Sequence, residues 1–310
     1  MVNTNNPLSI SDAHCTRCGE CAAVCIVGLV RVGKRGPRIL GDPAACMRCG
    51  HCVAVCPVKA LTHGLLVSPS VPPAATRSVD SGLSVDPLAR LLSEPSARPE
   101  PSADGCEPLD ADWRGSFRQA EQLIKGRRSV RRYESTPVER EAILRLLDVA
   151  RYAPTGMNSQ TVKWLVVYEA DAVKRLAGSV IDWLRSIQAS NQHVAGRYDP
   201  AAFIAAWDAG HDPILRGCPH VLLAYGHHDD PLAAGSCTIA LTTAELAATA
   251  MGLGACWAGF LHMAALHWPA TQQQLSLPDG YVTHGALMLG HPAEHYHRIP
   301  PRKPVDVQWR

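Results

Sequence analysis

Cys15-x2-Cys18-x2-Cys21-x3-Cys25, followed by Cys46-x2-Cys49-x2-Cys52-x3-Cys56-Pro57, decides how the N-terminal part of this 310-residue chain is read. Each cysteine of the first run recurs 31 positions later, and Gly19 recurs as Gly50. Self-similarity of this kind marks two equivalent half-modules. Eight of the 12 cysteines lie in these 42 residues. The opening, MVNTNNPLSISDAHC, has no basic start followed by an apolar run, so no signal peptide is expected and the cytoplasm is the default location. Metal ligation is then a better use of the thiols than disulfides.

Three thiolates spaced by two residues let one tight loop take three corners of a cubane cluster. The fourth cysteine lies too far along and ligates the other cluster. The expected assignment is therefore crossed. Cys15, Cys18, Cys21 and Cys56 hold one [4Fe-4S] cluster, and Cys46, Cys49, Cys52 and Cys25 hold the second. Small residues between the ligands (Gly19, Ala22, Ala23, Gly50, Ala54) let backbone N–H groups approach the sulfurs. The rival reading is a pair of zinc sites. Zinc usually takes two CxxC pairs and has no use for a third and fourth cysteine in each run. Residues 10 to 65 resemble the bacterial two-cluster ferredoxin family, with Ile26 after Cys25 where that family usually has proline.

Composition permits a sizeable core elsewhere. Hydrophobic residues make up 46% and charged residues 19%, with a net charge of +2. That balance does not suggest nucleic acid or an anionic membrane as partner. The most apolar stretch, Ala233 to Leu261, is broken by polar residues including Glu245, so no membrane insertion is expected. From Ser68 to Pro108 proline and serine are dense, and eight of the 24 prolines fall there. The expected organisation is a cluster module at 1–66, an extended irregular tether at 67–112, and a larger domain at 113–310.

In that larger domain, a helix is expected from Phe117 to Lys125, stopped by Gly126. Thr136-Pro137-Val138-Glu139 reads as a capping-box start with proline at the first helical position. The helix behind it carries Ile143, Leu146, Leu147 and Ala150 on one face. Strands are expected at Trp164 to Tyr168, Val221 to Tyr225 and Val282 to Leu289. A long small-residue helix is expected from Ser236 to Met251. Helices bunched between few strands indicate an α+β fold.

Three stretches in this region carry possible chemistry. In Gly126-Arg127-Arg128-Ser129-Val130-Arg131-Arg132-Tyr133, guanidinium forks match phosphate oxygens, though a basic run also suits a solvated face. In Ala153-Pro154-Thr155-Gly156-Met157-Asn158-Ser159-Gln160, Asn158 and Gln160 offer paired donors and acceptors for the edge of a planar heterocycle, or the segment is an ordinary turn. In Gly252-Leu253-Gly254-Ala255-Cys256-Trp257-Ala258-Gly259, glycine allows close backbone approach to a ligand, or the segment is a tight helix-to-strand turn. It follows a helix and lacks the GxGxxG spacing, which argues against a Rossmann fold.

Together, in this order, the three stretches resemble the FMN-dependent nitroreductase family, from about Leu123 to the C-terminus. The closing stretch from Gly290-His291-Pro292 to Arg302-Lys303-Pro304 adds to the likeness. His291 stands where tyrosine is common, and Thr161 where proline often follows. With the cluster module ahead of it, the chain looks like a ferredoxin–nitroreductase fusion.

The resemblance implies that Arg127, Arg128, Ser129 and Arg131 hold the ribityl and phosphate groups of FMN, and that Arg302 and Lys303 close on the phosphate. It implies that Pro154, Thr155, Gly156, Met157 and Asn158, with Gln160, line the isoalloxazine from a partner subunit. Gly254 and Ala255 would place backbone N–H groups near flavin N5 and O4. A homodimer is implied, since FMN sits at a dimer interface in that family.

The expected function is conversion between one-electron carriers and a two-electron flavin. Electrons would come from a low-potential donor protein through the clusters, or from NAD(P)H. They would leave to a small organic acceptor such as a nitro compound, a quinone or an activated alkene. A rival reading makes the flavin only a relay to another protein, and a third makes the C-terminal domain a flavin-binding sensor. No acid–base side chain is assigned to catalysis.

Of the 14 histidines, His227-His228 and His295-x-His297 are the tightest groups; neither has a third metal ligand at convincing spacing, and surface or loop histidine is the better reading. Cys218 and Cys237 read as small buried hydrophobes, Cys106 as an unremarkable loop thiol, and Cys256 as a thiol without assigned redox work. Trp164, Trp183, Trp207, Trp257 and Trp268 read as core.

Overall fold

The structure is a computed structural model that describes residues 8–33, 36–40, 42–63, 109, 114–190 and 199–310. The expected tether, with Cys106, lies outside the described residues apart from Leu109. The chain divides into two compact units.

The N-terminal unit pairs β1 (Leu8–Ile10) with β4 (Leu61–His63), and β2 (Val30–Gly33) with β3 (Gly36–Ile39), both antiparallel. Two one-turn helices lie between, α1 (Glu20–Ala23) and α2 (His51–Ala54), which pack on each other. The sequence repeat is also a backbone repeat. Arg17 and Arg48, Gly19 and Gly50, and Gly28 and Lys59 all have positive φ, each pair 31 residues apart. Gly19 (φ 86°) and Gly50 (φ 70°) start the two helices in the left-handed region, where glycine is the residue without a Cβ penalty. The small core joins Cys21, Val30, Cys52, Val53 and Leu61.

The second unit centres on a four-stranded antiparallel sheet of order β5-β6-β8-β7: β5 (Lys163–Val167), β6 (His220–His227), β7 (Gly254–Trp257) and β8 (Tyr281–Gly290). Successive strand residues point to opposite faces. Val221, Leu223, Ala286 and Met288 join one core. Leu222, Ala224, Leu287 and Leu289 join the other. Both faces are covered, which is why β6 and β8 read as continuous apolar runs instead of alternating ones. The fold is α+β, as expected.

The first face is covered by α5 (Ala170–Ala189) with α6 (Pro200–Asp208), α8 (Gly259–His267) and α9 (Pro269–Leu275). The second carries α4 (Arg140–Ala150) and α7 (Ala233–Ala250). Four threonines are accommodated in α7 because their hydroxyls donate to carbonyls four residues back, as Thr238 does to Ala234 at 2.8 Å. Trp183, Trp207 and Trp268 pack in or against the first core and Trp164 against the second, while Trp257 is 37% exposed.

Two local expectations fail. Residues 136–139 form no capping box: α4 starts at Arg140, with Glu139 as an N-cap that accepts no side-chain hydrogen bond. The reason is a competing use of Val138. Its N–H donates to His220 Nε2 at 2.8 Å, its carbonyl accepts from Tyr168 Oη at 3.0 Å, and its side chain is fully buried. The real capping box is one element earlier. Ser116 Oγ accepts from Gln119 N–H, and Gln119 Oε1 accepts from Ser116 N–H, at the head of α3 (Phe117–Gly126). Gly126 is the last residue of α3 and has no positive φ, so it is not a left-handed stop. At Gly252 (φ 76°), just past α7, glycine does perform that role.

Candidate functional site

The two cysteine runs interleave. Cys15, Cys18, Cys21 and Cys56 line one cavity, together with Pro37, Val58 and Leu61. Cys25, Cys46, Cys49 and Cys52 line a second, together with Leu29, Val30 and Ile26. Each cavity thus takes three sulfurs from one run and the fourth from the other. The helices make this possible. Cys21 and Cys52 sit inside α1 and α2, while Cys25 and Cys56 lie just beyond them and reach across.

The electrostatics are those of crowded thiols. Burial pushes the Cys52 thiol up to about 11, and its neighbours Cys49, Cys25 and Cys46 push the same way. Cys21 is raised by burial first, with Cys18 and Cys56 adding to it. Backbone N–H groups already point at sulfur: Arg17 at Cys15 Sγ (3.4 Å) and Ala60 at Cys56 Sγ (3.2 Å).

In the larger unit, the arginine–serine stretch lies along β7. Ser129 forms a parallel bridge with Ala255, and Val130 N–H donates to the Ala255 carbonyl at 3.0 Å. A Cβ on Gly254 would come within 2.7 Å of Val130, so this glycine is needed for strand-to-strand approach. The sequence leaves this glycine two readings, approach to a ligand or a tight helix-to-strand turn, and the close approach it makes here is to Val130. The structure therefore brings Ser129, Gly254 and Ala255 together.

The four arginines do different things. Arg127 Nη1 donates to Glu245 Oε1 of α7 at 2.8 Å. Arg132 pairs with Glu294 at 2.5 Å. Arg128 donates to the carbonyls of Gly126 and Lys125, and Arg131 to the carbonyl of Ser129. Arg128 and Arg131 thus have no carboxylate partner among the described residues. Glu245 is a member of the site that sequence reading missed, since it lies 118 positions from Arg127 and looks like a lone acid in an apolar helix.

The Pro154–Gln160 loop is strained. Met157, Asn158 and Gln160 have φ of 53°, 52° and 50°, a region non-glycine residues seldom occupy. Thr155 Oγ1 accepts from Gln160 N–H at 3.0 Å, and a Cβ on Gly156 would strike Leu232 at 2.7 Å. Met157 is 71% exposed. Arg302 and Lys303 lie in an exposed C-terminal arm that is neither helix nor strand. Cys218, Cys237 and Cys256 are buried, and burial raises all three thiols.

The sequence of residues 124–291 matches the nitroreductase family. The chain belongs to that family. Residues 7–57 match a 4Fe-4S dicluster domain, so this nitroreductase-family chain is a fusion of the two modules.

An iodotyrosine deiodinase from Thermotoga neapolitana is 31% identical over 136 residues, spanning 43% of this chain and 69% of that protein. A Methanothermobacter thermautotrophicus protein named for NADH dehydrogenase/NAD(P)H nitroreductase activity is 24% identical over 56% of this chain and 78% of its own. Among solved structures, a BluB-like flavoprotein from Clostridium difficile is similar at TM-score 0.49 and 22% identity, covering 61% of this chain and 96% of that one. A nitroreductase with bound FMN from Bacteroides fragilis is similar at 0.47 and 22% identity, over 61% and 95%. No described helix is long and apolar enough to cross a membrane.

Proposed function

We propose that this protein is an iron–sulfur flavoprotein oxidoreductase that passes electrons from two [4Fe-4S] clusters, through FMN, to a small organic acceptor. The observation that carries this reading is the sorting of eight cysteines into two cavities of four, on the same chain as a nitroreductase-family domain.

The residues fit both cofactors. Four thiols gathered in one cavity, with the Cys52 pKa raised by burial and by its three neighbours, want a multivalent cation, and an iron core supplies it while apolar walls limit water. For FMN, Arg128 and Arg131 offer two charges without a carboxylate partner among the described residues, suited to a phosphate dianion. Bound FMN would supply the ability to take electrons singly and release them as a pair. Ser129 would add a hydrogen bond to the ribityl-phosphate end. The Gly254–Ala255 backbone would face the ring's polar edge, and Arg302 and Lys303 would close on the phosphate. Arg127, held by Glu245, would shape that end of the site more than bind it.

A homodimer supports the rest of the site. Val305, Val307 and Trp309 alternate along the C-terminal arm and are 86%, 51% and 92% exposed, a row of apolar side chains largely open to solvent. A second copy would give them cover and would bring its Pro154–Gln160 loop, including Thr155, Gly156, Met157 and Asn158, to the flavin ring. Chemistry of this kind belongs in a reducing compartment, the cytoplasm.

The deciding experiment is iron, zinc and flavin content on anaerobically purified protein. About eight irons and one FMN per chain is the expected result, eight being the count for two four-iron clusters. Zinc in place of iron, or iron without flavin, would overturn the reading of the corresponding module. Reduction by a low-potential donor protein against reduction by NAD(P)H then separates the two routes of electron entry. Turnover of nitro, quinone or activated-alkene acceptors separates an enzyme from a relay.

A further inference from the structure

The turn leaving β6 carries His227, His228 and Asp229, whose ligand atoms all lie within 4.8 Å of one another. No other group of three such side chains this tight occurs among the described residues.

The hydrogen bonds around His228 set its chemistry. Its backbone N–H donates to the Gly280 carbonyl at 2.9 Å, and its ring Nδ1 lies 2.8 Å from the same oxygen. A carbonyl oxygen only accepts, so Nδ1 carries the proton, and a neutral ring then has its lone pair on Nε2. That lone pair faces Asp229 Oδ1 at 3.0 Å. Two acceptors at hydrogen-bonding distance repel unless a cation joins them.

His227 supplies a second lone pair. Its Nδ1 lies 3.9 Å from Asp229 Oδ2, and a bound cation would replace the long 3.3 Å hydrogen bond that this nitrogen accepts from Asp229 N–H. The two imidazoles stack with centroids 4.7 Å apart. The next acid, Asp230, is committed elsewhere: its Oδ1 accepts from Leu232 N–H ahead of α7, and its Oδ2 from Thr161 Oγ1.

We propose that His227, His228 and Asp229 bind one borderline divalent cation of the zinc class. Two imidazoles and one carboxylate suit such an ion, and an open fourth position would hold water. The Gly280 carbonyl plays the outer-shell part, orienting the His228 ring through Nδ1 as carbonyls do behind ligating histidines. The bound ion would tie the end of β6 to the loop that opens β8.

The test is calorimetric titration of Zn²⁺ into the anaerobic full-length protein with clusters and flavin in place. One additional Zn²⁺ per chain is expected. Asp229→Asn and His228→Ala should each weaken it by at least about tenfold, the lower end of what losing even an outer-shell partner costs. His295→Ala/His297→Ala should leave it unchanged. The His228 and Asp229 side chains are 55% and 76% exposed, so these replacements should not disturb folding. Equal zinc uptake in Asp229→Asn and wild type, or no uptake in wild type, would overturn the proposal. So would an NMR titration showing His228 as an imidazolium at neutral pH that Zn²⁺ does not displace, because a proton would then be the cation between it and Asp229.

Discussion

Glu245 holds Arg127 from across the fold: Oε1 accepts from Nη1 at 2.8 Å, with the glutamate side chain 6% exposed and the arginine 23%. A carboxylate this buried is tolerable only with its partner. Removing either side should therefore cost about 3 kcal/mol, the low end of the range for breaking a buried pair because Arg127 is partly solvated. Glu245→Ala should lower the urea midpoint accordingly, and Arg127→Ala should do so to a similar extent. If Arg127→Ala lowered flavin content with no loss of stability, the guanidinium would be a phosphate ligand first and the ion pair incidental.

Arg128 and Arg131 are cleaner probes of the phosphate. Among the described residues both donate to backbone carbonyls, which leave the guanidinium charge without a counter-ion. Losing one charged hydrogen bond of about 1.5–3 kcal/mol should raise the FMN dissociation constant roughly 10- to 100-fold. Unfolding of the flavin-free protein should be unchanged. Flavin titration of Arg128→Ala and Arg131→Ala measures this, and an unchanged dissociation constant in both would move the phosphate elsewhere.

What was legible in the sequence was whatever depends on near neighbours. The cysteine runs, the 31-residue repeat and the apolar strands β6 and β8 are local patterns, and the structure repeats them down to paired positive-φ residues at Arg17 and Arg48. The start of α4 was misread for the opposite reason. Thr136-Pro137 is a good local start, but Val138 is claimed by His220, 82 positions away. The 20-residue α5 went unnamed although Val173, Leu176, Ala177, Val180 and Leu184 trace a helical stripe that could have revealed it. Glu245 could not be paired from sequence, because a lone acid among alanines and threonines does not name its partner.

His220 is a buried stitch, 1% exposed, whose Nε2 accepts from Val138 N–H and whose Nδ1 donates to the Tyr168 carbonyl at 2.7 Å. The ring is therefore neutral in the folded state, and burial lowers its pKa. The unfolded value is about 6.5. With a depressed folded pKa, its contribution is complete above about pH 6.5 and is lost as the pH falls through the folded value. His220→Gln, which can keep one acceptor and one donor, should flatten this acid-side loss. His220→Ala leaves the Val138 N–H without a partner and should cost about 1–3 kcal/mol at neutral pH. Stability measured by denaturant between pH 5 and 8 in the three proteins checks both statements, the window lying around the unfolded value.

The crossed arrangement of the cysteines makes a prediction that a linear one would reverse. Cys25 lies in the first run but lines the cavity of Cys46, Cys49 and Cys52, while Cys56 lies in the second run but lines that of Cys15, Cys18 and Cys21. Cys25→Ala combined with Cys52→Ala removes two ligands from one cavity and none from the other. It should leave about four irons, the content of one cluster. Cys25→Ala combined with Cys21→Ala takes one ligand from each cavity and should damage both clusters. If ligation followed the runs, the outcomes would exchange: the second variant would keep one intact cluster and the first would harm both. Iron analysis and the EPR spectrum of the reduced proteins read the difference directly, with the flavin content of each variant reporting that the larger domain remains folded.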